Sequence, residues 1–232
     1  MKDSIYSYLG KFPLAFELFK IIEEMGDLYL IGGILREYKD YGKIHELRDI
    51  DIVIDVKDKA LYEEILAKYN PKRNRFGGFK LSCSGLVIDI WLLKETWAYK
   101  KELVNCLVGE FGEKLTDTVF LNIDGIVYDW KKECWYDEKY KEAMKNKVLD
   151  VVLEKNPYIE LNIVRALILK NRYQLKLSNR LKKIINKQMY LDLCLSQKLY
   201  CIQLERYKKE IISRRNIEME LEKIKYDSIL GT

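Results

Sequence analysis

Three aspartates, a glycine pair and an arginine carry the readable chemistry of this chain. The stretch LYLIGGILREYKDYGKIHELRDIDIVID, residues 28–55, holds most of them. Asp49 and Asp51 stand two apart, so on a strand they share a face while Ile50, Ile52 and Ile54 point into a core. Adjacent carboxylates repel each other and gain from a shared divalent cation. An oxygen-only donor set suits Mg²⁺ or Mn²⁺. A solvated acidic strand face is the plain alternative. Gly32-Gly33 follows an apolar strand and precedes a helix, which lets backbone N–H groups approach a phosphate, with Arg36 adding charge. An ordinary tight turn is the alternative there. Asp89 lies within LVIDIWLL, where a charge is costly unless paired or metal-bound. The alternative is a partly exposed position at a strand end. The three signals in this order are far more specific than any one of them.

The elements that must position these residues follow from periodicity. Pro13 to Met25 has helical spacing, with proline suited to a helix start. Leu28 to Ile31 is a short strand, and a helix begins at Ile34. Residues Tyr41 to Arg48 form a polar loop, and Ile50 to Val56 a strand. Lys59 to Tyr69 is an amphipathic helix stopped by Asn70-Pro71. Phe79 to Cys83 and Leu86 to Trp91 make a hairpin around Ser84-Gly85, which puts Asp89 on its second strand. Lys80 alternates onto the sheet face, as a phosphate or acceptor contact or as a solvated lysine. Trp91 and Trp97 read as packing residues. Lys94 to Leu107 reads as helical, Val119 to Ile123 and Ile126 to Tyr128 as β-prone, and Asp137 to Lys145 as a charged helix. From Tyr158 to Ile224 the pattern is almost wholly helical. A boundary near residue 150 divides an α/β front part, 1–150, from an all-helical rear part, 151–232.

Composition narrows the function classes. The chain has 232 residues, a formal net charge of +5 and a single histidine, His45. That excludes multi-histidine metal sites and disfavours Ser-His-Asp catalysis. Cys83, Cys106, Cys134, Cys194 and Cys201 form no zinc spacing and read as reduced, buried thiols of a cytoplasmic protein. No apolar run approaches the roughly 20 residues of a membrane span, so no membrane partner is expected.

GG-x-x-R, then D-x-D, then a third acid on a strand resembles the nucleotidyltransferase superfamily typified by DNA polymerase β. LIGGILRE followed by RDIDIVI is most similar to the head domain of poly(A) polymerases and CCA-adding tRNA nucleotidyltransferases. The resemblance covers about residues 10–130 and extends weakly to about 175. It implies an α+β fold: a small mixed or antiparallel sheet with flanking helices, followed by a helical neck- and body-like part. It implies transfer of NMP from an NTP to an acceptor, most plausibly the 3′ end of a tRNA-like RNA, with release of pyrophosphate. Asp49, Asp51 and Asp89 would be catalytic and hold Mg²⁺ or Mn²⁺. Gly32, Gly33, Arg36, Arg48, Asn122 and Arg165 would bind the nucleotide.

The sequence also departs from that pattern. LTDTVFLNIDGIVYD keeps Phe120 and Asn122 but lacks the paired arginines of R-R-D-F-T-x-N-A. Where the base-reading E-D-x-x-R motif belongs, the chain has Lys155, Asn156, Pro157, Tyr158 and Ile159. Residues 170–215 are strongly basic with interleaved tyrosines, and Lys170, Arg172, Arg180, Lys182 and Lys183 are candidate RNA contacts. An ordinary solvated helix face is the alternative. The shortness of the rear part suggests another acceptor, a homo-oligomer or a partner subunit. Two other functions stay open: nucleotidylation of a small molecule or protein, and non-catalytic nucleotide or RNA binding.

Overall fold

A computed structural model describes residues 1–107 and 109–230. In chain order the elements are α1 (Lys2–Leu9), α2 (Pro13–Met25), β1 (Gly26–Ile31), α3 (Gly33–Tyr41), β2 (Asp49–Val56), α4 (Lys59–Ala67), β3 (Lys72–Arg73), β4 (Phe79–Cys83) and β5 (Leu86–Leu92). Then follow α5 (Trp97–Lys100), α6 (Phe111–Leu115), β6 (Val127–Asp129), β7 (Cys134–Tyr136), α7 (Glu138–Asn146) and β8 (Val148–Leu149). The chain continues with α8 (Ile159–Tyr173), β9 (Lys176–Leu177), α9 (Asn179–Leu191), α10 (Leu195–Tyr207) and α11 (Arg214–Leu230). The fold is α+β, and no helix among the described residues is long and apolar enough to cross a membrane.

Two compact units divide the chain. The first comprises Met1–Thr118 and Asp124–Glu138, the second Val119–Ile123 and Lys139–Thr232. In the first, a seven-stranded sheet has the order β3-β4-β5-β2-β1-β6-β7. Every neighbouring pair is antiparallel except β2 and β5, which run parallel. One face carries Leu28, Leu30, Ile50, Ile52, Ile54, Leu81, Ile88 and Ile90, all buried. Helix α2 packs on β1 and β4 and buries Leu18, Phe19 and Ile22. This apolar face fixes the register of β2, because a slip of one residue would turn its aspartates into the core.

Glu23 fastens the N-terminal helices to the sheet. Its Oε2 accepts from Tyr6 Oη–H at 2.5 Å and from Trp130 Nε1–H at 2.8 Å, and its Oε1 accepts from Lys20 Nζ at 2.8 Å. Burial pushes this carboxyl upward, but the three hydrogen bonds prevail and hold it below its ordinary value of 4.5.

In the second unit the segment 119–123 pairs with the chain after α7. Leu121 bridges Val151, and Asn122, Val152 and Leu153 add backbone hydrogen bonds along the same line. Helices α8 to α11 follow. Gln203 of α10 is fully buried, accepts from the N–H groups of Ile211 and Ile212, and donates to the carbonyl of Ile212. It thereby satisfies the turn that leads into α11.

Several expectations are corrected. Helix between Lys94 and Leu107 is confined to α5. A 3₁₀ turn at Leu93–Glu95 precedes it, and Glu102 with φ +52° in the left-handed region ends it. Val119 to Ile123 makes a single bridge rather than a sheet strand. Helix α1 and strand β7 were not expected, since MKDSIYSYLG and KKECWY are polar enough to hide their half-buried periodicity. Of the five cysteines only Cys83 is buried, while Cys194 and Cys201 are exposed and all five are free.

Replacing Glu23 by Gln should lower stability by about 1–2 kcal/mol at neutral pH in urea unfolding. A depressed native pKa contributes stability above the unfolded value that disappears as pH falls through the native one. The deficit of Glu23→Gln should therefore narrow as the pH drops below the ordinary carboxylate range. A deficit independent of pH would contradict this role for the charge.

Candidate active site

The second sheet face presents a row of side chains that crosses all seven strands. Cross-strand pairing runs Lys72 (β3), Lys80 (β4), Asp89 (β5), Asp51 (β2), Ile31 (β1), Val127 (β6) and Tyr136 (β7). Residues directly paired across strands point to the same face. The row thus begins with two lysines, passes through two aspartates and ends apolar. Asp49 lies two residues before Asp51 on that face. Farther along β2, Val53 packs with Tyr29, Leu93, Leu115 and Val127 in a buried cluster, against which Ile31, Trp91, Phe111 and Tyr136 lean. Burial pushes the Tyr29 hydroxyl far up, and the carboxylates of Asp129 and Asp27 add to the shift. It stays protonated and serves as packing.

Each flanking carboxylate has a cation of its own. Arg48 Nε and Nη2 lie 2.9 and 2.7 Å from Asp49 Oδ2. Lys80 Nζ pairs with Asp89 Oδ2, and Asn74 Nδ2 donates to Asp89 Oδ1 at 3.2 Å. Asp89 is buried, whereas the Lys80 side chain is 37% exposed. The aspartate expected to be costly inside its apolar strand is paired on both oxygens. Lys80 is partly exposed and salt-bridged to Asp89 rather than an unpaired lysine on the sheet face.

Asn74 does more than contact Asp89. Its Oδ1 accepts from Phe76 N–H at 3.1 Å and Gly78 N–H at 3.0 Å, and its own N–H donates to the Gly78 carbonyl at 2.9 Å. The β3–β4 turn is therefore tied through one side chain to the third carboxylate. Gly78 closes that turn against Trp91, and a Cβ there would come within 2.3 Å of the indole.

Strand β1 ends at Ile31, the partner of Asp51, and Gly32 then makes the turn into α3. Gly32 has φ +75°, and a Cβ on it would lie 2.9 Å from Asp51 Oδ2. Backbone is thus brought against the central carboxylate where only glycine fits without strain. The first N–H groups of α3 have no partner within the helix.

The other expected nucleotide contacts have defined surroundings. The Arg36 guanidinium pairs with Asp124 Oδ1, both largely buried, which ties α3 to Asp124 within the first unit. Asn122 belongs to the second unit. Its Nδ2 donates to the Val148 carbonyl at 3.0 Å, and its Oδ1 accepts from the N–H groups of Ile123 and Asp150. Arg165 lies half-buried on α8 of the same unit. Among the basic residues, Lys170 pairs with Glu220, and Lys182 with Asp227 at 2.9 Å. Both acids lie on α11. Arg180 donates to the Val151 carbonyl at 3.1 Å, Arg172 stacks its guanidinium 5.2 Å from the Tyr173 ring centroid, and Lys183 is exposed.

The carboxylates fit a hard divalent cation in donor type and in sharing one face. Among the described residues no three His, Cys, Asp or Glu side chains are disposed so as to hold one. Arg48 and Lys80 engage the outer two.

No family model and no curated protein sequence matches this chain. Solved structures do. A tRNA-processing enzyme with CTP aligns with a TM-score of 0.59 at 20% identity, over 90% of this chain and 56% of its own. A CCA-adding enzyme in complex with CTP gives 0.60 at 16%, over 91% and 51%. The Thermotoga maritima CCA-adding enzyme complexed with tRNA gives 0.57 at 18%, over 86% and 47%. The fold is the one these tRNA-processing and CCA-adding enzymes share over that length. The chain spans about half the length of the structures it matches. At this identity the likeness establishes architecture, so the chemistry must be argued from the residues themselves.

Gly32→Ala should force the new methyl against Asp51 and place an L-residue at positive φ. The expected cost is about 1–3 kcal/mol in thermal or urea unfolding. A variant as stable as the parent would show that the turn relaxes freely.

Proposed function

We propose that the chain transfers a nucleotidyl group from an NTP to an acceptor hydroxyl, with an RNA 3′ end as the acceptor and pyrophosphate as the leaving group. The observation that carries this reading is the parallel register that sets Asp51 beside Asp89, with Asp49 on the same face and the Gly32 backbone against Asp51. The CCA-adding enzymes that share the fold are described in complexes with CTP, ATP and tRNA, which supports the choice of substrates.

Asp49, Asp51 and Asp89 would hold Mg²⁺ or Mn²⁺. Bound there, divalent cations supply charge neutralisation for the attacking and leaving oxygens. The N–H groups that open α3 bind the triphosphate, and Gly32 lets it approach without a side chain in the way. Arg48, exposed beside Asp49, adds positive charge at the same edge. The acceptor oxygen bonds to the α-phosphorus as the α–β bridging bond breaks, and the hydroxyl proton leaves toward the carboxylate of Asp89. The catalytic part corresponds to residues 1–150 and the helical, acceptor-binding part to 151–232. Arg36 acts by holding α3 through Asp124.

A second reading is nucleotidylation of a small molecule or protein. The motif that would read C or A is missing at residues 155–159. Two of the candidate RNA-binding lysines are also engaged within their own unit.

The test is incubation with Mg²⁺, each labelled NTP and total RNA. Label in RNA supports the leading reading, and label in protein or a small molecule the second. Nucleotide binding without any transfer would point to a regulator. Asp49→Asn and Asp51→Asn should lower transfer by about 10³-fold or more, as expected when a metal-holding carboxylate is lost, with unfolding curves close to the parent's. A fully active Asp51→Asn enzyme would refute the site.

A further inference from the structure

We infer that Lys80 is a built-in counterion that competes with a divalent cation for Asp89, so that the third carboxylate joins a metal only when this lysine is displaced. The inference rests on the carboxylate site proposed above and adds to it a residue that sets how strongly the site takes up metal.

Three observations carry it. First, Lys80 and Asp89 are directly paired across β4 and β5, so the ammonium is delivered to this carboxylate by strand register rather than by a flexible loop. Second, Lys80 takes Oδ2 while Asn74 takes Oδ1 at 3.2 Å, so the carboxylate is held on both oxygens. Third, the partners differ in exposure: Asp89 is 7% exposed in its side chain and Lys80 is 37% exposed. The carboxylate stays and the ammonium can leave. Asp51, the cross-strand neighbour of Asp89 on the other side, is the residue with which a shared cation would be made.

Electrostatics makes the exchange one of alternatives. A buried carboxylate needs a positive partner, and the +1 of lysine meets that need until a +2 ion shared with Asp51 replaces it. The ammonium and a metal ion at Asp89 repel each other at contact distance, so both cannot occupy the same oxygens. Asp49 is neutralised by Arg48 at the other end of the set. Asp51 pairs in register with Asp89 and is the residue that would share a cation with it once Lys80 is displaced.

The experiment is Mn²⁺ binding to the whole chain by calorimetry, with Mn²⁺-dependent thermal shifts alongside, and without nucleotide or turnover. Lys80→Gln should bind Mn²⁺ about tenfold more tightly or better, and its melting temperature should rise more with Mn²⁺ than the parent's. The gain should vanish in Lys80→Gln/Asp89→Asn. Lys80→Arg keeps the charge and grips a carboxylate through a planar fork, so it should bind Mn²⁺ more weakly than the parent. It also serves if the Gln variant folds poorly. Mn²⁺ affinities of Lys80→Gln no higher than the parent's would overturn the inference, as would unaltered binding by Lys80→Arg. The transfer assay separates this result from the underlying reading. Unchanged Mn²⁺ affinities in a protein that labels its acceptor defeat only the counterion role. Lack of transfer in a protein whose Lys80 variants behave as stated defeats only the activity.

Discussion

Parallel strands pair with their side chains in step, and the register of β2 on β5 sets Asp51 and Asp89 side by side on one face. Strands lie about 4.8 Å apart. At about that distance, with an effective dielectric near 20, two unit charges repel by about 3 kcal/mol. The fold accepts this because cations stand at both ends of the carboxylate set. Arg48 arrives from the preceding loop and Lys80 from the neighbouring strand. Everything else in the first unit serves that geometry. The Leu, Ile and Phe side of the sheet prevents a register slip, Glu23 ties the covering helices down, and Asn74 braces the turn before β4.

Much of this was legible in the residues. The alternation of DIDIVIDV announces a strand with acids on one side, and the glycine pair announces the turn into α3. The Lys80–Asp89 pairing was also within reach. Ser84 and Gly85 have φ +54° and +92°, a two-residue turn of the hairpin kind, and they leave Cys83 opposite Leu86. Counting back from there puts Lys80 opposite Asp89. What could not be read was the partner of β2. A crossover strand is chosen by tertiary packing, and no local pattern says that β5 lies beside β2 rather than beyond it.

Residues whose type suggested nucleotide contact illustrate a different limit. Arg36 and Asn122 have the right chemistry for phosphate or base. In the fold Arg36 Nη1 pairs with Asp124, and the Asn122 side-chain amide bonds to the 148–150 backbone. Likewise Lys170 and Lys182 looked like part of a basic stripe, but α11 carries Glu220 and Asp227 at positions that pair with them. Sequence counts charges, whereas the potential outside the molecule depends on which of them are compensated at short range. Arg172 and Lys183 are exposed, and Arg180, half-exposed, lies 3.7 Å from Glu154.

The mixed sheet has a consequence for how the molecule comes into being. Hairpins close quickly because their strands are adjacent in the chain, whereas a parallel pair must wait for its crossover to be laid down. Here α4, β3 and β4 all intervene between β2 and β5. During synthesis the ribosome releases Asp49 and Asp51 well before Asp89, and β4 with Lys80 emerges just ahead of it. The pairing of the third carboxylate with its counterion is local, within the β4–β5 hairpin, whereas its place beside the other two depends on the long crossover. Asp89 thereby has a positive partner supplied by its own hairpin, independent of the crossover that sets it beside Asp51.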